Sequence, residues 1–260
     1  MSRYAAMFDR LAARNEGALG AFVMLGDPDL ATSALCLDAL VEGGADMIEV
    51  GIPFSDPVAD GPVIQAAANR ALASGVRTAD CFALIAAFRA RHPEMPIGIL
   101  TYANLVLARG RTHFLEAAAA AGTDSLLVAD LPAREAEPWT REMQAVGVEP
   151  VLIAAANTPA VTLREIARLA TAYTYCVTRA GITGGHAEAQ YDSRVIDELR
   201  AAGAPPAIFG FGISTPAHVR AALAAGAAGV ISGSAIVARA ADGGDVAAFV
   251  ATLKDATRPL

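Results

Sequence analysis

Short apolar runs with the composition of β-strands recur eight times along the chain, and this repeat is the feature that most constrains its fold. Most runs start 22 to 33 residues after the previous one, and alanine-rich stretches of helical character separate them. The interval between the second and third runs is about twice the others. The runs begin near Ala21, Met47, Ile97, Ser125, Pro150, Thr174, Ala207 and Gly229.

Repeated strand–helix units with continuously apolar strands indicate a parallel sheet that is covered on both faces. Eight such units favour closure of the sheet, so we predict an α/β protein with a single (β/α)8 barrel. A doubly wound open sheet is the alternative that the pattern leaves open. No linker-like stretch divides the chain, and we expect one domain over residues 1–260.

Local signals mark where several predicted helices begin or end. Three helices are expected to end at Gly44, Gly122 and Gly226, because glycine tolerates the left-handed conformation that follows a helix. The amphipathic segment from about Arg3 to Arg14 precedes the first run. We predict an additional N-terminal helix there, which covers the bottom of the barrel.

Composition and charge exclude several classes of function. No apolar stretch reaches about 18 residues, and MSRYAAMFDR lacks the apolar core of a signal peptide, so a cytoplasmic protein without a membrane segment is expected. The net charge of −7, without any Lys/Arg run, offers no binding surface for nucleic acid or an anionic membrane. The three cysteines are far apart and the histidines lack metal-ligand spacing, so neither disulfides nor a metal site is predicted.

The second apolar run, MIEVG, contains one carboxylate, Glu49. Burying an unpaired carboxylate is costly and raises its pKa, which suits general acid or base work at the carboxyl end of a barrel. A salt-bridged or capping residue near the strand end is the alternative.

The following loop, IPFSDPVADGP, contains Asp56 and Asp60 among three prolines, which hold a loop in few conformations. Turn chemistry accounts for Asp56, and the pattern leaves the role of Asp60 open.

Glycine-rich segments follow the last three predicted strands: Gly181 to Gly185, Gly210 to Ser214, and Gly233-Ser234. In barrels, the loops after strands 7 and 8 frequently hold a phosphate through backbone N–H groups. The three segments together predict a phosphate site, although tight turns explain any one of them.

Tyr173 and Tyr175 point to the same face of the sixth strand. Either could bind a carboxylate or an aromatic substrate, with ordinary packing the better interpretation for Tyr173.

Seven segments resemble, in order, the motifs of the tryptophan synthase α-subunit family. They are FVMLGDP, EVGIPFSDPVADGP, GILTYANLV, LLVADLP, YTYCVTRAGITG, GFGIS and ISGSAIV. The match runs from about Arg3 to Val237, and the segment from Glu49 to Pro62 is highly specific to the family.

The resemblance implies a carbon–carbon lyase of tryptophan biosynthesis, which splits indole-3-glycerol phosphate by a retro-aldol reaction into indole and glyceraldehyde 3-phosphate. It implies that Glu49 protonates indole C3 and then takes a proton from the glycerol hydroxyl. Asp60 would accept from the indole N–H and stabilise the developing cation. A carboxyl pair in two different environments is what such chemistry needs.

The resemblance also assigns the substrate-binding positions. Phe22, Leu100, Leu127 and Phe211 match apolar positions around the indole ring, Tyr175 lies near the glycerol moiety, and Gly184, Gly212, Gly233 and Ser234 match phosphate-binding positions. Thr183 corresponds to the threonine of a closing loop that contacts Asp60. The implied partner is a β subunit that carries pyridoxal phosphate, in an α2β2 complex that it contacts through the loops after strands 2 and 6. No cofactor is expected on this chain.

Three rival functions fit the same residues in part. One is a stand-alone indole-releasing lyase, and another is a catalytically weak subunit that activates its partner, against which the intact Glu49 and Asp60 argue. The third is a phosphate-binding barrel with another substrate. No lysine ends a predicted strand, which argues against Schiff-base aldol chemistry.

Overall fold

Eight parallel strands close into a barrel in chain order, with β1 paired to both β2 and β8. The computed structural model describes residues 1–177, 191 and 193–259. The strands of this described part are β1 (Ala18–Met24), β2 (Met47–Gly51), β3 (Ile97–Thr101), β4 (Ser125–Val128), β5 (Glu149–Ala155), β6 (Thr174–Val177), β7 (Ala207–Gly210) and β8 (Gly229–Ser232). Pairing of β1 with β8 confirms the predicted barrel and excludes the doubly wound sheet.

Helices cover the outside of the barrel and fill the intervals between strands. In the described part of the chain they are α1 (Arg3–Ala12), α2 (Leu30–Glu42), α3 (Pro62–Ala73), α4 (Thr78–Arg91), α5 (Ala103–Leu107), α6 (Arg111–Ala120), α7 (Ala136–Ala145), α8 (Ala160–Leu169), α9 (Ser193–Ala201), α10 (Pro216–Ala224), α11 (Ser234–Ala241) and α12 (Val246–Asp255). The double interval between β2 and β3 contains both α3 and α4. This explains why one predicted spacing was twice the rest.

The structure confirms the three helix ends that were predicted at glycines. Gly44, Gly122 and Gly226 all have positive φ, from +86° to +96°, where a side chain would be strained. After α2, for example, Gly44 N–H donates to Val41 O and Ala45 N–H donates to Leu40 O. These two hydrogen bonds satisfy carbonyls at the helix end and turn the chain into β2.

The first strand begins at Ala18, three residues before the predicted run. Small residues weaken the apolar signal here, but the narrow barrel requires them. A Cβ on Gly20 would lie 2.6 Å from Ile231 Cγ1 and 2.7 Å from Met47 Cε.

Helix α1 covers the amino end of the barrel, as its amphipathic pattern predicted. Tyr4, Met7 and Leu11 are buried in the same cluster as interior strand residues. The Tyr4 hydroxyl hydrogen-bonds Ser125 Oγ at 2.8 Å, at the first residue of β4. The barrel is therefore closed at this end, and its carboxyl end is left for a site.

No single helix within the described ranges is long and apolar enough to cross a membrane. Among the described helices, one consecutive pair, α3 and α4, passes that test together, and the two are bent by 102° at their junction.

Candidate active site

The predicted apolar contacts converge inside the barrel. Phe22 and Leu127 are buried in one cluster with Tyr175, and Leu100 and Phe211 pack against it. Alternate residues of a barrel strand point inward, so β1, β3, β4 and β6 contribute side chains to one interior surface, and Phe211 joins them from the residue after β7. The structure thus brings together the residues that were predicted to surround an aromatic ring.

Glu49 lies inside this apolar surface, at the middle position of β2. It is paired in register with Phe22 of β1 and Gly98 of β3 and is 2% exposed. Its Oε1 accepts a hydrogen bond of 3.0 Å from the Tyr173 hydroxyl, while Oε2 is buried without a hydrogen-bond partner among the described residues. No cation compensates the carboxyl, so the salt-bridge alternative is excluded within the described part of the chain.

The environment of Glu49 favours its neutral form. Burial raises the pKa of the Glu49 carboxyl to about 8; the Tyr173 hydrogen bond opposes this shift, and the negative charge of Asp60 adds to it. A carboxyl with this pKa carries a proton at neutral pH. Glu49 can therefore act as an acid towards a molecule bound beside its unpartnered oxygen.

From the sequence we interpreted Tyr173 as an ordinary packing residue. The structure gives it a further role. Its ring lies 5.5 Å from that of Tyr4, so it does pack at the bottom of the barrel. Its hydroxyl also reaches up to Glu49. Strand alternation placed Tyr173 and Tyr175 on one face, but only the closed barrel shows that this face meets β2 across the interior.

Asp60 is the second buried carboxyl and comes from the loop between β2 and α3. It is 7% exposed, its N–H donates to Pro57 O at 3.0 Å, and its carbonyl accepts from Gln65 Nε2 at 2.7 Å. Burial raises the pKa of Asp60 to about 6, and a hydrogen bond from Tyr102 opposes that shift. Asp60 is thus mostly ionised at pH 7, whereas Glu49 is protonated. Asp56, on the same loop, is exposed, which agrees with its interpretation as a turn residue.

Tyr175 and Phe211 form an edge-to-face pair, with ring centroids 5.9 Å apart. Phe211 has φ +65°, a conformation that bulky residues rarely adopt and that often marks a functional site. Gly210 was predicted as part of a phosphate loop, but it makes room for Tyr175: a Cβ there would lie 1.9 Å from the Tyr175 hydroxyl oxygen.

Replacing Gly210 with alanine is therefore expected to displace the Tyr175 ring and to lower kcat/KM for the reaction by about a hundredfold. Steady-state kinetics would measure the loss. Gly244→Ala is the matched control, because the atoms nearest to a Cβ there belong to the flexible Arg239 side chain. Wild-type kinetics in Gly210→Ala would contradict the argument.

The predicted phosphate positions lie at the ends of β7 and β8. Gly233 is the N-cap of α11 and Ser234 is its first residue, so backbone N–H groups without helical partners are available there. The Ser232 hydroxyl donates to Ile213 O at 2.7 Å and joins this end of β8 to the loop that contains Gly212. Thr183 and Gly184, predicted for the loop after β6, lie outside the described residues.

Sequence reasoning missed Tyr102, which contacts the Asp60 loop. Tyr102 lies in the GILTYANLV segment, directly after β3. Its position at the carboxyl end of a barrel strand could have indicated a site residue.

The closed barrel and its two unequal carboxyls define a (β/α)8-barrel enzyme with its site at the carboxyl end of the strands. The family model described as tryptophan synthase alpha chain matches residues 8–256. The chain belongs to the tryptophan synthase alpha chain family.

Relatives and solved structures agree with this assignment. The chain is similar to the tryptophan synthase alpha chain of Shewanella amazonensis, with 52% identity over 241 residues that cover 92% of this chain and 90% of that one. It is 49% identical to that of Cronobacter sakazakii over 262 residues, covering 100% and 97% of the two chains. A structure of Mycobacterium tuberculosis tryptophan synthase matches with a TM-score of 0.91 and 31% identity, covering 100% of this chain and 99% of that one.

Proposed function

We propose that Glu49 is the general acid and base, and Asp60 the electrostatic partner, in the retro-aldol cleavage of indole-3-glycerol phosphate. The chain is a carbon–carbon lyase of tryptophan biosynthesis, the activity of the family to which it belongs. The observation that carries the residue roles is the unequal carboxyl pair, with pKa values of about 8 for Glu49 and about 6 for Asp60.

The bond between indole C3 and the glycerol chain breaks once C3 is protonated. Glu49 gives its proton to C3, which interrupts the aromatic system and places positive charge on the ring. The Asp60 carboxylate accepts a hydrogen bond from the indole N–H and stabilises that charge. The Glu49 carboxylate then takes the proton of the glycerol hydroxyl. The carbon–carbon bond breaks, its electrons restore the aromatic ring, and glyceraldehyde 3-phosphate leaves.

The apolar surface supports this assignment of the indole. Phe22, Leu127 and Tyr175 are buried around the carboxyl end of the interior, and a planar apolar ring fits such a surface. Their low polarity also strengthens the electrostatic interactions of the two carboxyls.

For the phosphate we propose the ends of β7 and β8. Gly212 and Gly233 allow the backbone to approach an anion, and the start of α11 presents N–H groups together with the positive end of the helix dipole. Ser234 adds a hydroxyl at the first position of this helix. Thr183 and Gly184 belong to the proposal through the family resemblance alone.

Replacing Gly233 with aspartate is expected to raise KM about tenfold or more with little change in kcat, because a carboxylate would repel the phosphate. The fold should tolerate the side chain, since a Cβ at Gly233 lies 3.4 Å from Phe22, an ordinary contact. Steady-state kinetics with inorganic phosphate as a competitor would measure the effect. Gly233→Asn adds the same bulk without charge and is the control; an unchanged KM in Gly233→Asp would refute the placement.

A partner protein is part of the proposal. Val58, Leu107 and Val161 are large apolar side chains with more than half of their surface exposed, and they lie in the segments that follow β2, β3 and β5. Exposed apolar groups around the carboxyl end suit a docking surface. We propose that a β subunit carrying pyridoxal phosphate binds here, in an α2β2 complex, and receives indole. The cleavage combines two proton transfers with the breaking of one carbon–carbon bond and involves no redox change, so we propose no cofactor on this chain.

Indole release from indole-3-glycerol phosphate tests the function. The purified chain would be assayed alone and with a tryptophan synthase β subunit added. Slow turnover that rises many-fold with β is the expected result. Fast turnover that is indifferent to β would favour a stand-alone lyase, and no turnover in either assay would leave a non-catalytic subunit or another substrate. We place the enzyme in the cytoplasm, in keeping with its three free cysteines.

A further inference from the structure

The hydroxyl of Tyr102 lies between the backbone and the carboxyl of the Asp60 loop. The oxygen accepts a hydrogen bond from Ala59 N–H at 3.2 Å, and the hydroxyl lies close enough to the Asp60 carboxyl to lower its pKa as a hydrogen-bond donor. A phenol has a single proton. Because the backbone N–H occupies the oxygen as a donor, the hydroxyl proton is directed to Asp60.

Tyr102 is itself held in place. It is 3% exposed, its ring lies 5.5 Å from that of Phe54 on the β2 loop, and its carbonyl accepts from Leu105 N–H at 3.1 Å in the first turn of α5. The next residue, Ala103, donates its N–H to Asp130 Oδ1 at 2.8 Å. The hydroxyl is therefore presented to Asp60 by a fixed side chain.

The carboxyl and the backbone of Asp60 are held by different groups. Pro57 and Gln65 bond its main-chain N–H and carbonyl, whereas Tyr102 bonds its side chain. Loss of the hydroxyl removes the donor to the carboxylate and the acceptor of Ala59 N–H, while the bonds of Pro57 and Gln65 to the Asp60 main chain remain.

We infer that Tyr102 is a positioning residue for Asp60, whose hydroxyl orients the carboxylate and stabilises its ionised form. This inference rests on the proposed function of Asp60. A protonated Asp60 can no longer offer a negative charge to the cationic ring, and an undirected carboxylate loses the orientation that such stabilisation needs. The effect of Tyr102 on the reaction therefore passes through Asp60.

The pH dependence follows from the groups around Asp60. Glu49 and Tyr175 face it from the barrel interior, Asp130 lies near Tyr102, and Asp56 is exposed on the same loop. None of these four groups is a cation, so none replaces the stabilisation that Tyr102 supplies. Burial raises the pKa of Asp60 and Tyr102 lowers it. Without the hydroxyl, the pKa of Asp60 rises and the acidic limb of the pH profile moves to higher pH.

The test is Tyr102→Phe, which keeps the ring on Phe54 and removes the donor. We expect kcat/KM for indole release to fall about tenfold to a hundredfold, as for the loss of a hydrogen bond to a charged group. The acidic limb of kcat/KM should shift upward by about one pH unit. Tyr191→Phe is the matched control, because it removes a buried hydroxyl at a ring that packs on Phe209. Circular dichroism would verify that both variants are folded.

A double-variant comparison separates the inference from the function on which it rests. If Tyr102 acts through Asp60, Tyr102→Phe causes little further loss in an Asp60→Asn background. The positioning role would be overturned if the two single-variant losses in kcat/KM multiply in full in the double variant. An acidic limb that does not shift in Tyr102→Phe would overturn it as well. Full activity in Asp60→Asn alone would instead overturn the proposed function of Asp60.

Discussion

Replacing Glu49 with glutamine is expected to lower kcat for indole release by about 10² to 10⁴-fold, the contribution of a positioned general acid and base. The amide has nearly the size of the carboxyl, but it cannot give a proton to C3 or take one from the glycerol hydroxyl. Burial already favours the neutral form of Glu49, so a neutral amide should cost little stability. Single-turnover and steady-state indole assays would measure the loss.

The matched control is Glu149→Gln. Glu149 begins β5 at the opposite end of the barrel, and burial raises its pKa too. Its replacement should leave turnover unchanged, which would show that removal of a half-buried carboxyl does not by itself impair the enzyme. Retained turnover in Glu49→Gln would refute the acid–base assignment.

The wild-type enzyme should show a bell-shaped pH profile. The acid Glu49 must be protonated, so activity falls as the pH rises through its pKa of about 8. Asp60 must be ionised, so activity falls as the pH drops through its pKa of about 6. In Glu49→Gln the basic limb should disappear from the residual activity.

Replacing Lys254 with methionine is expected to lower the free energy of unfolding by about 3–5 kcal/mol, as for other buried ion pairs that lose one partner. Lys254 is the single lysine of the chain and lies on α12, 7% exposed. Its Nζ is 2.9 Å from Asp46 Oδ2 and 3.1 Å from Glu16 Oε2. The same Asp46 oxygen accepts from Leu19 N–H at 2.9 Å, and the variant removes the lysine partner of both carboxylates where α12 packs on β1.

Urea unfolding at pH 7 and at pH 3.5 would measure this effect. The Lys254 hydrogen bond is the largest cause that keeps the pKa of Glu16 below its ordinary value. A depressed carboxyl pKa stabilises the fold above the unfolded value of about 4.3 and loses that contribution as the pH falls. The loss of unfolding free energy in Lys254→Met should therefore be smaller at pH 3.5 than at pH 7.

An exposed ion pair at the end of α12 supplies the control. Arg258 pairs with Asp255 at 2.8 Å, and both side chains are more than half exposed. Water screens this pair, so Arg258→Met should cost about 0–1 kcal/mol. A deficit below about 1 kcal/mol in Lys254→Met would show that the buried cluster contributes little.

Lys254 also bears on the reaction type. A Schiff-base aldol mechanism needs a lysine amine at the site. The chain's single lysine is buried in ion pairs with Glu16 and Asp46, beside the start of β1, while the carboxyl pair lies towards the other end of the strands. The sequence argument against that chemistry is therefore strengthened by the fold.

The sequence by itself determined the architecture and the two carboxyls. Eight apolar runs at regular spacing left few arrangements other than a closed parallel sheet, because each strand must be covered on both faces. The lone Glu49 in an apolar strand and the proline-rich loop around Asp60 were visible as local chemistry. The motifs then connected them to the tryptophan synthase α-subunit family.

The tertiary structure decided which residues share one interior surface. Tyr173 lies 124 residues from Glu49 in the chain, yet it donates a hydrogen bond to that carboxyl, and Tyr102 accepts one from Ala59, more than 40 residues away and next to Asp60. Gly210 leaves room for the Tyr175 ring, although the glycine-rich sequence around it indicated a phosphate-binding loop. Local patterns report burial and turns, which depend on neighbouring residues. Contacts across a barrel depend on strand stagger and closure, which only the folded chain fixes.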